Sequence, residues 1–341
     1  MDVGDVLEII TRAPKLFIYL TTKCNMYCKH CYLGFRLKQD LKFHPNDIIN
    51  ILDIFSGICG EKDVTFLGGE PILYPEINKI LRFAKERGYY VRFDTNGFYN
   101  TNLMQKKELE YIDEISISLD GSTPNIHDTI RMPGSFESVV QNIKYLKNIG
   151  KNIRVTTTVM KPNLLDVLKI AKIVEDLGVN TLNLHLLSIN GNARKYPKLW
   201  VLPKEWLCLI FKLWNMKRRN LVIRFPLAYL PNDLIEDNKN FLECECNKLL
   251  RLSFFPDGKV YCCSLLFDTN LNVGYYDFKK RPILLQPNSE FHLIKENKEC
   301  ITKEFMTQQN GFVPLCRFKK IKTSEKEFNK LISKIGEILK C

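Results

Sequence analysis

No apolar run in this 341-residue chain approaches the roughly 20 residues that a membrane-spanning helix needs. Residues 1–14 mix acidic and apolar side chains and have neither the basic start nor the apolar core of a signal peptide. The chain also has no low-complexity tract and no basic patch interleaved with aromatic residues, so we interpret its net charge of +12 as a solvated surface. These absences predict a cytoplasmic protein that binds neither membrane nor nucleic acid.

Cysteine, by contrast, is abundant: the chain has 12 cysteines. A disulfide framework would require an oxidising compartment, so we interpret the cysteines mainly as ligands of metal ions or clusters. Cys24, Cys28 and Cys31 follow an apolar run at 16–20. Thiolates are the usual ligands of iron–sulfur clusters, and three ligands would leave one iron of a cubane open. The alternatives are a zinc site, which would need a fourth ligand, and a chance group of buried cysteines.

Short apolar runs alternate with helical patterns between residue 14 and about residue 225. The predicted strands are 16–20, 63–67, 90–94, 115–119, 153–159 and 181–187. The predicted helices are 45–59, 75–87, 103–111, 136–148 and 164–177. Repeated strand–helix units form parallel sheets, so the pattern predicts an α/β fold, a partial (β/α)6 TIM-like barrel. A small cysteine-rich α+β extension follows it.

Polar motifs stand where the predicted strands end, which is the edge of such a barrel that carries active sites. The cysteine loop follows the first strand, the motif Gly68-Gly69-Glu70 follows the second, and the stretch 118–121, which begins with Ser118, closes the fourth. Two residues without side chains let a ligand approach the backbone, and Glu70 could accept hydrogen bonds from an ammonium group. The alternative is a plain turn, since diglycine is common in turns.

The cysteine motif and the Gly-Gly-Glu-Pro motif together resemble the radical S-adenosylmethionine (SAM) superfamily over about residues 14–225. The stretch 118–121, with His127, Asp128 and Arg131 after it, is similar to the subgroup whose members carry a C-terminal SPASM or twitch extension. That second likeness covers residues 240–316 less tightly.

The resemblance implies that Cys24, Cys28 and Cys31 hold a [4Fe–4S] cluster whose open iron binds the amine and carboxylate of SAM. A low-potential electron donor such as ferredoxin or flavodoxin would reduce this cluster. Reductive cleavage of SAM would then give a 5′-deoxyadenosyl radical that abstracts hydrogen from the substrate.

The resemblance also implies a SAM-binding set, for which the candidates are Gly68, Gly69, Glu70, Ser118, Arg131 and Tyr32. The two glycines and Glu70 would receive the methionyl amine, and Ser118 would contact the carboxylate or the ribose. Arg131 would bind the carboxylate through its planar guanidinium, or else pair with Asp128 at the surface. Tyr32 would lie against the adenine or pack in the core.

The second cysteine group lies in the extension, within a chain that we divide into an N-terminal segment (1–13), the barrel (14–225), a linker (226–240), an auxiliary cluster domain (241–320) and an amphipathic helix (321–341). The candidate ligands of one auxiliary [4Fe–4S] cluster are Cys246, Cys263, Cys300 and Cys316. Cys244 competes with Cys246, and Cys262 with Cys263, because neighbours on a strand point to opposite faces. A zinc ribbon is the rival interpretation.

Two further expectations concern this extension. The turn signal Pro256-Asp257-Gly258 predicts a β-hairpin ahead of Cys263. Three cysteines are given no ligand role: we expect Cys341 to be idle, and Cys59 and Cys208 to lie in the core.

The resemblance favours an oxidoreductase or maturase that modifies a peptide or protein. Ser264 follows Cys263 where sulfatase-type maturases have an aspartate, which argues against formylglycine formation. The short segment before the first strand leaves no room for a leader-binding domain, so we expect the barrel mouth, the extension or a separate protein to recognise a peptide. The alternatives are a small-molecule dehydrogenase or decarboxylase of the same superfamily, and a non-catalytic iron–sulfur or zinc scaffold.

Overall fold

The fold is described from a computed structural model. It covers residues 15–58, 61–100, 106–235, 242–243, 251–267, 269–280, 283–284, 306–316, 320–321 and 324–341. No helix within these ranges is long and apolar enough to cross a bilayer.

A parallel sheet forms the body of the molecule, and all six predicted strands are present. Its strands in chain order are β1 (Lys15–Tyr19), β2 (Asp63–Leu67), β3 (Tyr90–Thr95), β4 (Glu114–Ser118), β5 (Ile153–Val159), β6 (Thr181–Leu186) and β7 (Val222–Arg224). Each strand pairs in parallel with the next, and β7 adds a parallel strand beyond the predicted six. The predicted partial TIM-like barrel is confirmed.

Helices connect the strands and cover one face of the sheet. They are α1 (Pro45–Ile58), α2 (Ile77–Glu86), α3 (Lys106–Leu109), α4 (Pro124–Ile130), α5 (Ser135–Asn148), α6 (Val167–Asp176) and α7 (Pro203–Trp214). In α2 the apolar side chains recur at helical spacing, and those of Ile77, Ile80, Leu81 and Ala84 are buried. Their burial against the sheet drives the layered architecture.

The opposite face of the sheet is polar. On β5, Ile153, Val155, Thr157 and Val159 are buried, whereas Arg154, Thr156 and Thr158 are half-buried. We call the less buried face the inner wall, and it includes Asp63, Arg92, Asp94, Glu114, Ser116, Ser118, Arg154, Thr156, Thr158, Asn183 and His185. Strand periodicity alone left the facing of β5 open, and packing of the helices on one side decides it.

The extension continues the same sheet. Its strands are β8 (Ala228–Pro231), β9 (Leu242–Glu243), β10 (Arg251–Phe254), β11 (Lys259–Tyr261), β12 (Gly274–Tyr276), β13 (Ile283–Leu284), β14 (Phe312–Cys316) and β15 (Lys320–Ile321). β10 pairs in parallel with β1, and β11, β12 and β13 follow it in antiparallel order. The turn between β10 and β11 confirms the predicted hairpin, with Gly258 at a φ of +85°.

Part of the segment expected as a linker is instead buried structure. Leu227, Ala228, Tyr229 and Leu230 have almost no exposed surface, and β8 pairs with β14. The side chains between Pro226 and Pro231 are apolar, which accounts for this burial, because apolar side chains are more stable in the core than exposed to solvent.

The amphipathic C-terminal helix is confirmed as α8 (Glu325–Leu339), which Ser324 and Glu327 begin with a reciprocal capping box. It packs on α7, where the rings of Trp214 and Phe328 lie 5.0 Å apart. A disulfide joins Cys208 of α7 to Cys341. The expectation that Cys341 is idle is therefore wrong, because the docking of α8 brings it to Cys208. Cys208 packs against the hydrophobic core as expected, and Cys59 lies outside the described residues.

Candidate active site

The first cysteine group lies in the loop that follows β1. The Sγ atom of Cys24 accepts hydrogen bonds from the backbone amide of Met26 at 3.4 Å and from Nδ2 of Asn96 at 3.8 Å. Cys24, Cys28 and Cys31 form no disulfide. The described residues contain no group of three or more His, Cys, Asp or Glu side chains placed around one metal ion. In a cubane cluster each thiolate binds a different iron.

The electrostatics of this loop fit a cationic cluster. Burial raises the pKa of the Cys24 thiol to about 11 and that of Cys28 to about 12, although the Arg131 guanidinium offsets part of the effect at Cys28. Positive charge is therefore needed to hold these groups as thiolates, and iron supplies it.

The diglycine turn is packed directly against the cysteine loop. A Cβ atom on Gly69 would lie 2.3 Å from the carbonyl oxygen of Lys23, and one on Gly68 would lie 2.4 Å from that of Thr21. The amide of Gly69 donates to the Thr21 carbonyl at 2.8 Å. The two glycines are therefore needed because these two protein loops touch. This contact explains the glycines more directly than the predicted approach of a ligand does.

Glu70 is fully buried and its carboxylate already accepts three hydrogen bonds from the protein. The donors are the amide of Ile72 at 3.2 Å, the hydroxyl of Thr95 at 2.7 Å and the amide of Asn96 at 2.8 Å. Burial raises the pKa of Glu70 to about 7. The side chain thus joins the ends of β2 and β3, and the backbone of this turn is the part left for the predicted contact with an amine.

Arg131 is buried and pairs with Asp120 rather than with Asp128. Its Nε atom lies 2.6 Å from Oδ2 of Asp120, and Nε2 of His30 lies 3.5 Å from the same oxygen. Asp128 instead accepts hydrogen bonds from the backbone at the start of α5. The surface pairing considered for Arg131 is therefore wrong, and a guanidinium stands beside the cysteine loop.

Ser118 and Tyr32 differ in their surroundings. Ser118 ends β4 half-buried on the inner wall, in register with Thr156. The Tyr32 hydroxyl lies 2.7 Å from that of Tyr19, and its ring contacts Phe267 edge-on with centroids 5.7 Å apart. The structure favours core packing for Tyr32 over a place against the adenine, because both ends of its ring are enclosed by aromatic neighbours.

Two asparagines that sequence reasoning did not assign hold the cysteine loop in place. Asn96 reaches Cys24 and also donates to Oδ1 of Asn25 at 2.7 Å. Asn192 donates from Nδ2 to the carbonyl of Cys28 at 3.0 Å, and from its backbone to that of Cys31 at 2.9 Å. The available signals were an Asn-Gly pair directly after the third strand and a Gly-Asn pair that begins five residues after the sixth.

The second cysteine group is only partly within the described residues. Cys263 is buried and begins a short 3-10 turn, and Cys316 ends β14. Cys244, Cys246 and Cys300 lie outside the described residues, so the auxiliary ligand set stays a prediction. Continuing the β10–β11 register by two residues places Cys263 beside Arg251, which pairs with Lys15 at the amino end of β1. The first cysteine group lies beyond the other end of that strand.

Comparisons with known proteins agree with this site. The family model described as "Radical SAM superfamily" matches residues 18–174. A relative from Methanocaldococcus jannaschii, provisionally named a glycyl-radical enzyme activating enzyme, is 31% identical over 184 residues, which are 51% of this chain and 68% of the relative. The chain belongs to the radical SAM superfamily.

Other radical SAM relatives match over part of their length. An "AdoMet-dependent heme synthase" from Oleidesulfovibrio alaskensis is 30% identical over 215 residues, 60% of this chain and 54% of that protein. The chain thus spans about half the length of that relative. The solved structure of anSMEcpe with bound AdoMet and Cp18Cys peptide has a TM-score of 0.62 at 14% identity and covers 96% of this chain and 97% of that one. At this identity the likeness shows the fold alone.

Proposed function

We propose that this radical SAM enzyme abstracts hydrogen from a peptide or protein and so acts as an oxidoreductase or maturase. The observation that carries the proposal is the inner wall, whose charged and hydroxyl side chains face the barrel interior from successive strands. Such a wall suits an extended polar substrate. The whole-length fold likeness to anSMEcpe, which was solved with a peptide, supports the same class.

In this proposal Cys24, Cys28 and Cys31 hold the [4Fe–4S] cluster, which supplies reductive cleavage of SAM when it is bound. The backbone of the turn at 68–70 receives the methionyl amine. Ser118 faces the ribose or carboxylate from the inner wall. Arg131, fixed by Asp120, places a positive charge beside the cysteine loop and the methionyl carboxylate.

A second [4Fe–4S] cluster is proposed on Cys246, Cys263, Cys300 and Cys316, which makes the extension a SPASM or twitch type. A low-potential donor such as ferredoxin or flavodoxin supplies the electron for each turnover. The iron content of the Cys263→Ala variant tests the second cluster.

Deuterium transfer tests the proposed substrate class. Reconstituted enzyme is incubated anaerobically with SAM, dithionite and deuterated peptides, and 5′-deoxyadenosine is analysed by mass spectrometry. A peptide substrate is expected to transfer deuterium to 5′-deoxyadenosine. Release of unlabelled 5′-deoxyadenosine with every peptide, from an otherwise active enzyme, would contradict the peptide class.

A small-molecule dehydrogenase or decarboxylase is the second candidate. The heme synthase relative favours it, since heme is a small molecule and the sequence likeness is higher than to anSMEcpe. The same assay with deuterated small carboxylic acids distinguishes the two classes. A scaffold without catalysis would release no 5′-deoxyadenosine at all.

A further inference from the structure

Positive charge is concentrated in two stretches of the chain, one of which contains the first cysteine group. Residues 21–44 include five Lys or Arg and one Asp, and residues 187–200 include three Lys or Arg and neither Asp nor Glu. These 38 residues therefore carry a net charge of +7, out of +12 for all 341. The stretches are far apart in the sequence, which is why the sequence alone shows no basic patch.

The fold packs the two stretches against each other. Each contains a five-residue 3-10 turn, Gly34–Lys38 in the first and Gly191–Lys195 in the second. The turns meet at their first residues, since a Cβ atom on Gly34 would lie 2.9 Å from Cα of Gly191. A 3-10 turn rises about 2 Å per residue, so the backbones of Lys38 and Lys195 both lie within roughly 8 Å of this contact.

Exposed lysines and an exposed aromatic ring make up the surface of these stretches, which we call the basic face. Its lysines, all exposed, are Lys23, Lys29, Lys38, Lys42, Lys195 and Lys198. Among the residues that the structure describes, none of the six forms an ion pair with a carboxylate. Tyr27 is 50% exposed, and Nζ of Lys38 lies 5.8 Å from the centroid of its ring. Such a concentration of one sign of charge favours a partner of the opposite sign.

The basic face lies directly outside the first cysteine group. Tyr27 stands between Cys24 and Cys28 in the sequence, and its hydroxyl donates to Oδ1 of Asn192 at 3.3 Å. Asn192 in turn donates to the carbonyl of Cys28 at 3.0 Å. In the proposed function the barrel interior holds SAM and the substrate, so a further partner of this group has to approach from the outside.

We propose that the basic face is the docking surface of an acidic, low-potential electron-carrier protein. One electron passes from the reduced carrier to the cluster, and no bond forms or breaks between the two proteins. Because electron transfer slows steeply with distance, the carrier has to dock close to the cysteine loop, which is where these lysines are. Opposite charges speed the encounter, and exposed ion pairs are weak enough for the carrier to leave after the transfer.

A nucleic acid would also be attracted by the lysines, but it supplies no electron to the cysteine group below Tyr27. The position of the face therefore favours the carrier. This inference rests on the proposed function, because it assumes that the cluster on Cys24, Cys28 and Cys31 is reduced in each turnover.

Surface plasmon resonance of the reconstituted enzyme with an acidic flavodoxin and an acidic ferredoxin tests this docking. We expect the native enzyme to bind at least one carrier at about 50 mM NaCl and to lose most of this binding at about 500 mM NaCl, where charges are screened. Lys38→Glu and Lys195→Glu should each weaken the binding at low salt about fivefold, mainly through slower association.

Lys330→Glu is the matched control, because it makes the same charge change at an exposed position of α8, outside the basic face. It should bind the carriers as the native enzyme does. Circular dichroism identifies a variant that fails to fold, and Lys195→Glu then provides the answer if Lys38→Glu is lost. The rate of SAM cleavage with a reduced carrier, divided by the rate with dithionite, should fall about fivefold in both test variants and stay constant in the control.

Three results would overturn the docking surface. They are the absence of binding of either carrier to the native enzyme, equal binding by all variants, and displacement of the carriers by a single-stranded oligouridylate that binds more tightly through the same lysines. The last result would assign the face to nucleic acid.

The deuterium-transfer assay, driven by dithionite, keeps these outcomes apart from failure of the proposed function. If peptides transfer deuterium while carrier binding ignores the lysines, only the docking surface is wrong. If carrier binding depends on Lys38 and Lys195 but no peptide transfers deuterium, the docking surface stands and the peptide-modifying function is wrong.

Discussion

The two cysteine groups are organised in different ways. The first occupies eight consecutive residues. Gly69 binds the backbone just before it, Asn192 binds its backbone carbonyls, and Asn96 binds the side chains of Cys24 and Asn25. The second is dispersed over 71 positions, from Cys246 to Cys316, and its one fully described member, Cys263, follows a hairpin added to the edge of the sheet.

The two groups differ in what positions their cysteines, which is a single loop in the first and the fold of the whole extension in the second. In the first group the ligand spacing is set by one loop, so the surrounding contacts only have to keep that loop in place. If Cys246, Cys263, Cys300 and Cys316 hold the proposed second cluster, these ligands come together only when the whole extension folds correctly. We therefore expect the first group to be sensitive to single backbone contacts and the second to be separable from SAM cleavage. The predictions below run from the largest expected effect on SAM cleavage to the smallest.

The largest effect is expected from Cys28→Ala. Loss of one of three thiolates leaves too few ligands for the cubane, so 5′-deoxyadenosine release should fall below detection and about four irons per chain should be lost. Iron analysis and chromatography of anaerobic reactions measure both quantities. Substantial SAM cleavage by this variant would show that the first group is not the initiating site.

Gly69→Ala tests whether backbone contact fixes the first group. The added Cβ would lie 2.3 Å from the Lys23 carbonyl, so one loop must move, and a shift of that kind lowers activity by about 100-fold. Overpacking should also cost about 1–3 kcal/mol of unfolding free energy, measured by denaturant titration.

The matched control is Gly57→Ala, which lies in α1 with no atom within 4 Å of its added Cβ. It should stabilise the protein by about 0.5–1 kcal/mol and leave SAM cleavage unchanged. Equal behaviour of the two variants would refute a special role for the loop contact.

Cys263→Ala tests the second cysteine group. If the second group holds its own cluster, this variant should lose about four irons yet retain SAM cleavage without substrate within about tenfold. Iron content and the release of 5′-deoxyadenosine provide the two readings. Unchanged iron content would remove Cys263 from the auxiliary ligand set.

The smallest effect is on acid stability, through His127 of α4. Burial lowers the pKa of His127 from 6.5 to about 4, and its Nδ1 atom accepts a hydrogen bond from the amide of Asp120 at 3.0 Å. Below pH 6.5 the unfolded chain takes up a proton that the folded chain takes up only near pH 4. Stability should therefore fall through this window, by about 3 kcal/mol in all.

We expect urea unfolding to show that the free energy of unfolding falls less between pH 7 and pH 4 in His127→Gln than in the native protein. The exposed His44 provides the control, because His44→Gln should keep the native profile. Identical slopes for all three proteins would mean that another group limits acid stability.

Much of the fold could be predicted because its signals are local. Alternating apolar runs gave the six strands of the barrel, and the amphipathic pattern of residues 321–341 gave α8. The polar motifs at the strand ends could be found for the same reason, since each lies at or directly after the end of a predicted strand.

Properties that depend on distant packing could not be read from the sequence. The pairing of Arg131 with Asp120, the enclosure of Tyr32 by aromatic rings and the joining of Cys208 to Cys341 all arise from contacts between remote elements. The orientation of β5 likewise depended on where the helices pack, because alternation identifies two faces without saying which one is covered.

The pairing of β10 with β1 makes β1 a spacer between the first cysteine group and Cys263. The cysteine loop follows its carboxyl end, and Cys263 lies level with Lys15 at its amino end. Four residue steps of extended chain span about 13 Å, so Cys263 lies at least about that far along β1 from the start of the cysteine loop. An electron exchanged between the first cluster and the proposed second cluster at Cys263 would have to travel that distance.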